Sequence, residues 1–265
     1  MLTSLLLYLV LGAFAGVLAG LLGIGGGLVI VPLLTFSFTW QGVPHEHILH
    51  MALGTSLATI IFTSISSMRA HNAHGAVDWR VFWRITPGIL LGTFIGTWVA
   101  AQLSTNFLKG FFGIFLYFVS YRMLTGKKTQ ATRELPGNAG IFGVGNGIGI
   151  ISSLVGIGGG TLSVPFLTWC NVAIHKAIGT AAAIGLPIAL AGSFGYFLNG
   201  LGVEGRPDWT IGYIYIPALL GIVCMSVVTA PIGAKLAHSL PVGTLKKIFA
   251  VLLFIVGTRM LWSLF

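Results

Sequence analysis

Runs of about 20 apolar residues, separated by short polar turns, recur from residue 3 to residue 264. A run of that length makes a helix that crosses a bilayer core of about 30 Å. Eight spans are predicted, roughly 3–22, 48–68, 81–101, 107–125, 139–155, 175–198, 211–236 and 243–264. Two short apolar arms, 28–39 and 161–170, each follow a break of five residues, Gly-Ile-Gly-Gly-Gly, at Gly23–Gly27 and Gly156–Gly160. An arm covers only about half of the bilayer core. The first span of each half plus its arm is therefore too long for one upright helix. It is predicted to be a Gly-broken, tilted helix or a re-entrant hairpin. The expected fold class is an all-α polytopic membrane protein of about eight transmembrane helices.

The pattern is written twice. Gly23–Thr35 and Gly156–Thr168 agree at nine of thirteen positions, including both Val-Pro pairs. His50-Met51-Ala52-Leu53-Gly54-Thr55 resembles His175-Lys176-Ala177-Ile178-Gly179-Thr180. Gly75–Trp79 resembles Gly205–Trp209, with Pro87 and Pro217 each eight residues beyond the tryptophan. Leu108-Lys109 matches Leu245-Lys246, and Arg122–Leu124 matches Arg259–Leu261. The reading is a first transmembrane repeat at 1–124, a polar linker at 125–137 and a second repeat at 138–265. Four crossings per half would make the repeats parallel and an odd number would make them inverted; four is the expectation.

Composition agrees: 55% of residues are hydrophobic and 7% charged, against about a quarter charged in a soluble domain. The opening run has no basic residue before it, so it reads as a retained span and not a cleaved leader. A formal charge of +9 invites a nucleic-acid reading, but the basic residues are scattered among loops with no basic face, so no nucleic-acid partner is expected. With eight crossings, Arg69, Arg80, Arg84, Arg122, Lys127, Lys128, Arg133, Arg206 and Arg259 share the side of the linker and both termini. Lys109, Lys176, Lys235, Lys246 and Lys247 take the other. That bias puts both termini in the cytoplasm of a multi-pass cell (inner) membrane protein. Cys170 and Cys224 lie in apolar context and read as packing residues.

The segments Gly20–Pro32 and Leu154–Pro165, with His74–Trp79 followed by Pro87-Gly88, resemble the TauE/SafE family of sulfite and organosulfonate exporters, also called the toluene-sulfonate uptake permease family. The resemblance covers nearly the whole chain. It implies a secondary transporter that exports small sulfur-containing anions such as sulfite, sulfoacetate or related organosulfonates.

The residues offer a site for the anion that the resemblance implies. Paired helix breaks in two halves point to a transporter's substrate site, because freed backbone is tolerated at membrane depth only where it faces protein or a cavity. Backbone N–H groups at a glycine-rich helix start suit a compact oxyanion. Gly23, Gly25, Gly26 and Gly27, with Gly156, Gly158, Gly159, Gly160 and Thr161, are the candidate cradle. Close helix crossing through small residues is the alternative use of the same glycines. Thr55, Ser56 and Thr180 are candidate hydroxyl donors, or they bond back to their own helix. His50 and His175 are candidate donors or proton carriers, and otherwise helix-start residues. Lys176, which has Met51 as its counterpart, is a candidate cation or a surface lysine. Asp78 and Asp208 read as N-caps, with Trp79 and Trp209 as interfacial anchors.

The five acids, Glu46, Asp78, Glu134, Glu204 and Asp208, all fall in loops or at span edges, so no intramembrane carboxylate site for sodium is expected. A rival reading, divalent metal transport, would use His45, Glu46, His47 and His50 with His71 and His74; the spacing is loose and no metal site is assigned. A non-transporting scaffold is a third reading, and paired breaks weigh against it. The breaks lack the Gly-Lys-Ser/Thr ending of a phosphate loop and the glycine spacing of a dinucleotide fold. No catalytic residue, enzyme activity or cofactor is expected. The expected partners are the anion, the lipid bilayer and a second copy in a homodimer.

Overall fold

The structure is a computed structural model that describes residues 2–22, 26–125, 134–239 and 242–264. It is helical throughout, apart from one two-residue hairpin. The first half comprises α1 (Leu2–Leu22), α2 (Gly27–Trp40), α3 (His45–Ala73), α4 (Trp79–Gln102) and α5 (Thr105–Thr125). The second comprises α6 (Asn138–Val155), α7 (Gly160–Trp169), α8 (Ile174–Gly200), the strands β1 (Thr210–Ile211) and β2 (Ile214–Tyr215), α9 (Ile216–Ser239) and α10 (Val242–Trp262). Among the described residues, six helices are long and apolar enough to cross a bilayer: α3, α4, α5, α6, α8 and α9. The protein is a multi-pass membrane protein.

Local chemistry sets the element boundaries. Gly156 ends α6 in the left-handed conformation, φ 64°, and its N–H and that of Ile157 both reach the Ser152 carbonyl. A Cβ there would be strained, which is why glycine is used. Gly26, φ 77°, opens α2 in the same conformation. The Asp78 carboxylate accepts from the Val81 N–H at 3.1 Å and caps α4, as expected of an aspartate before a helix. Asp208 does not do this for α9. The hairpin pairing Thr210 with Tyr215 lies between, and α9 starts at Ile216, so the Asp208-Trp209 pair is not the counterpart of Asp78-Trp79. Trp209 is exposed, at φ 65°.

Contacts between helices give their directions. Glycines 12, 16 and 20 of α1 abut the backbones of Ile222, Ser226 and Ala230 of α9, so α1 and α9 run parallel. Glycines 88 and 92 of α4 abut Phe142 and Asn146 of α6 in the same sense. The central pair is antiparallel: Gly192 of α8 meets Leu57 of α3, and Gly185 meets Ser64. So is the pair α5 and α10, where the Ser120 hydroxyl donates to the Ala250 carbonyl and that of Tyr117 to Thr258 Oγ1. α2 folds back along α1: Gly26 lies against Ala15, while Tyr8 Oη and Ser37 Oγ are 3.0 Å apart near the other end.

Each half therefore has five legs: α1, the returning α2, then α3, α4 and α5. An odd number of legs leaves residue 125 on the side opposite residue 2. The expected four crossings per half, with the linker on the side of the termini, does not hold. Hydropathy marks apolar length but carries no sign of direction, and a short returning arm changes the parity. α3 and α8 are buried along most of their length. The outer helices α4, α5, α9 and α10 show Trp98, Ile114, Val228 and Phe254 outward, as a lipid-facing surface requires.

Candidate functional site

The two breaks meet between the central helices. A Cβ on Gly27 would overlap the Gly156 carbonyl oxygen and lie 2.8 Å from Ile157 Cα. Ser56 Oγ of α3 donates to that carbonyl at 2.8 Å. Leu53 and Val31 enclose Gly156, and Gly159 lies against the Ala181 carbonyl and the Gly185 N–H of α8. Leu53–Ser56 lie eight to eleven residues into α3, and Ala181–Gly185 seven to eleven into α8. At 1.5 Å per residue both are about 10–17 Å from opposite ends, so the second break lies at mid-depth. Gly23 and Gly25 lie outside the described residues. Gly26, Gly27, Gly156, Gly158, Gly159 and Gly160 are all buried.

Around the second break, three hydroxyls have no hydrogen-bond partner. Ser152 Oγ, in the last turn of α6, and Ser163 Oγ, in the first turns of α7, both belong to side chains at 0% exposure. Thr161 Oγ1 is the third. A buried hydroxyl without a partner costs free energy, so each of these is a donor left available for an acceptor. α7 begins between Ser152 and Ser163, and its first N–H groups supply the positive end of a helix dipole.

The paired threonines each accept a backbone hydrogen bond. Thr55 Oγ1 accepts from the Tyr215 N–H at 3.0 Å, and Thr180 Oγ1 accepts from the Asp78 N–H at 2.8 Å. Each thereby secures the chain entering α9 or α4. Two other side chains form a similar pair: His71 Nε2 is 2.8 Å from the Gly20 carbonyl, and Tyr196 Oη donates to the Ser153 carbonyl at 3.0 Å. Both grip the last turn of a helix just ahead of its break.

The remaining candidates lie elsewhere. His175 and Lys176 are exposed at the start of α8. His50 is buried but sits between the carbonyls of Glu46 and Ala100, at 3.1 and 3.0 Å, and stacks on Tyr213. Burial pushes the Tyr213 phenol above its ordinary range. The histidines of the metal reading do not converge: His45 faces Lys109 Nζ at 3.3 Å, and His47 Nε2 faces the Glu204 carbonyl at 3.0 Å. Among the described residues, no three His, Cys, Asp or Glu side chains are grouped to hold a metal.

Sequence reasoning missed Ser152 and Ser163. The signal was in the comparison of the copies: the second carries Ser152, Thr161 and Ser163 where the first carries Ala19, Leu28 and Ile30. Similarity alone was read there, and not the differences.

Membrane-crossing helices around two touching breaks, with buried donors beside one, define a membrane transporter. The sulfite exporter TauE/SafE family matches residues 8–260, and the chain belongs to that family. A probable membrane transporter protein of Haemophilus influenzae is 40% identical over 262 residues, covering 98% of this chain and 99% of its own length. Similar proteins named in the same terms occur in Methanocaldococcus jannaschii, at 28% identity over 96% of this chain and 94% of the relative, and in Bacillus subtilis, where YunE is 26% identical over 98% of both. No solved structure matches.

Proposed function

We propose that this transporter is a secondary exporter of small sulfur-containing anions, sulfite or an organosulfonate, and that it holds the anion at the second break. The observation that carries this reading is the set of unpartnered hydroxyls that flank the second break, of Ser152 at the end of α6 and of Thr161 and Ser163 at the start of α7. Hydroxyls and helix-start N–H groups are donors, and a tetrahedral or pyramidal oxyanion offers several acceptors in a small volume. Sulfur as the central atom is supported by the family name alone. A divalent cation fits poorly, because the donor set lacks carboxylate and the histidines are engaged elsewhere.

The two halves act in this reading as inverted repeats, about 1–124 and 138–265, joined by 125–137. The support is geometric. Gly12 abuts Ile222 as Gly145 abuts Ile85, Gly16 abuts Ser226 as Gly149 abuts Ile89, and the threonine contacts exchange in the same way. Counterpart helices α3 and α8 run antiparallel, which supports a two-fold axis in the membrane plane. The helix ends on the side of residue 125 carry Arg69, Arg80, Arg84, Arg122, Lys176, Lys235, Lys246 and Lys247, against Lys109, Arg206 and Arg259 on the other. Eight against three puts the former side in the cytoplasm, the reverse of the sequence expectation for the termini.

The test is a ligand panel on the purified protein. Sulfite, sulfoacetate, taurine, sulfate and divalent metal salts are compared by thermal stabilisation. Stabilisation by sulfite or a sulfonate is expected. A response to divalent metal alone replaces the anion reading, and no response to any ligand leaves the scaffold reading.

A further inference from the structure

One groove on the outer surface departs from the rule that lipid-facing helix surfaces are apolar. It lies between the parallel helices α3 and α9, measures about 370 Å³, and is lined by Phe62, Ile65, Ala70, Val227 and Pro231 with Arg69. Its depth has a local cause. Pro231 has no N–H to give the carbonyl four residues back, that of Val227, and its ring pushes the helix open there. Ser66 Oγ supplies the missing donor at 2.8 Å. The proline and serine therefore build the recess without leaving an orphaned carbonyl.

Arg69 stands exposed near the end of α3, about 36 Å along a helix of 29 residues. That is headgroup depth. Among the described residues no carboxylate pairs with the guanidinium. Lys235 follows Pro231 by one turn on the same face of α9 and lies about one turn beyond Arg69 toward the membrane surface. The corresponding groove between α8 and α4, on the opposite side of the membrane, has neither feature: Phe194 stands where Arg69 does, and Phe94 where Pro231 does. The cation and the recess thus belong to one leaflet, the one on the side that carries most of the basic residues.

We propose that this groove is a binding site for one anionic phospholipid, its phosphate on Arg69 and an acyl chain in the recess formed by Phe62, Ile65, Val227 and Pro231. Basic residues at the mouth of an interhelical pocket on the cytoplasmic side suit such a headgroup. A zwitterionic lipid would fill the same recess but gain less at the guanidinium.

The test compares phosphatidylglycerol and phosphatidylcholine, each titrated into delipidated protein, by native mass spectrometry and by thermal stability. The wild type should prefer phosphatidylglycerol by about fivefold per cation engaged. Arg69→Gln should abolish most of the preference, and Val227→Trp, which fills the recess, should weaken both lipids. Arg80→Gln, an exposed arginine on the same side but away from the groove, should retain the preference. Equal binding of the two lipids by the wild type overturns the proposal, as does an equal loss in Arg80→Gln. Free phosphate or sulfite that competes at Arg69 with the lipid recess unused would make this a vestibule for soluble anions and also overturn it.

Discussion

Ser152 and Ser163 invert the usual link between a substrate contact and stability. A buried hydroxyl without a partner costs about 1–3 kcal/mol, so Ser152→Ala and Ser163→Ala should leave the ligand-free protein as stable as the wild type or more so. The same substitutions should weaken anion affinity about 10-fold or more, since a hydrogen bond to a charged group contributes about 1.5–3 kcal/mol. Melting curves with and without sulfite read both effects in one experiment. A variant that melts lower and binds unchanged would show that the hydroxyl packs and does not donate. Thr55 and Thr180 make the contrast. Each accepts a backbone N–H that valine would leave buried and unpaired, so Thr55→Val and Thr180→Val should lose about 1–3 kcal/mol of stability while serine at either position restores it. Loss of affinity with unchanged melting would return the hydroxyls to the anion.

At the scale of the helix, glycines two residues apart in α6 have opposite roles. Gly145 faces the Ile85 carbonyl of α4, and Gly147 has nothing within 4 Å. Gly147→Ala should stabilise by about 0.5–1 kcal/mol, because alanine loses less backbone entropy. Gly145→Ala forces two backbones apart and should destabilise by at least about 1–3 kcal/mol, as overpacking does. Equal effects, measured by heating detergent-solubilised protein and following its monodispersity, would refute the crossing role. The elements themselves were largely legible. The arms expected at 28–39 and 161–170 became α2 and α7 within a residue or so, since glycine breaks and proline leave clear marks in sequence. The hairpin was not legible. Thr210–Tyr215 carries Ile211 and Ile214 and runs without a polar break into the apolar helix that follows, and hydropathy cannot separate two-residue strands from the start of a span. For Ser152 and Ser163 the difference between the copies was legible, but the missing partner was not, because it is a property of the folded surroundings and not of the residue.

For the whole molecule, side is the quantity that separates the possible topologies. Lys176 and Glu204 are both exposed, one at the start of α8 and the other just past its end. In a background with Cys170 and Cys224 replaced by alanine, Lys176→Cys should resist a membrane-impermeant maleimide in intact cells, and Glu204→Cys should react. Reaction of both, or of neither, would break the five-leg arrangement. The reverse pattern is the one that eight crossings with cytoplasmic termini predict, and it would overturn the proposed orientation.

The inverted arrangement proposed for the two halves also bears on how one chain would reach two resting shapes. A conformation that one half adopts relative to the membrane is open to the other half in the opposite frame, so an outward shape and an inward shape can be built from the same pair of half-conformations with their assignments exchanged. Were the halves identical, the two shapes would have equal free energy. The pairs that differ are therefore the ones that set the bias: His71 against Tyr196, Ser152 against Ala19, Arg69 against Phe194. Replacing one by its counterpart, His71→Tyr for example, should shift the balance between outward and inward openings without adding or removing a site.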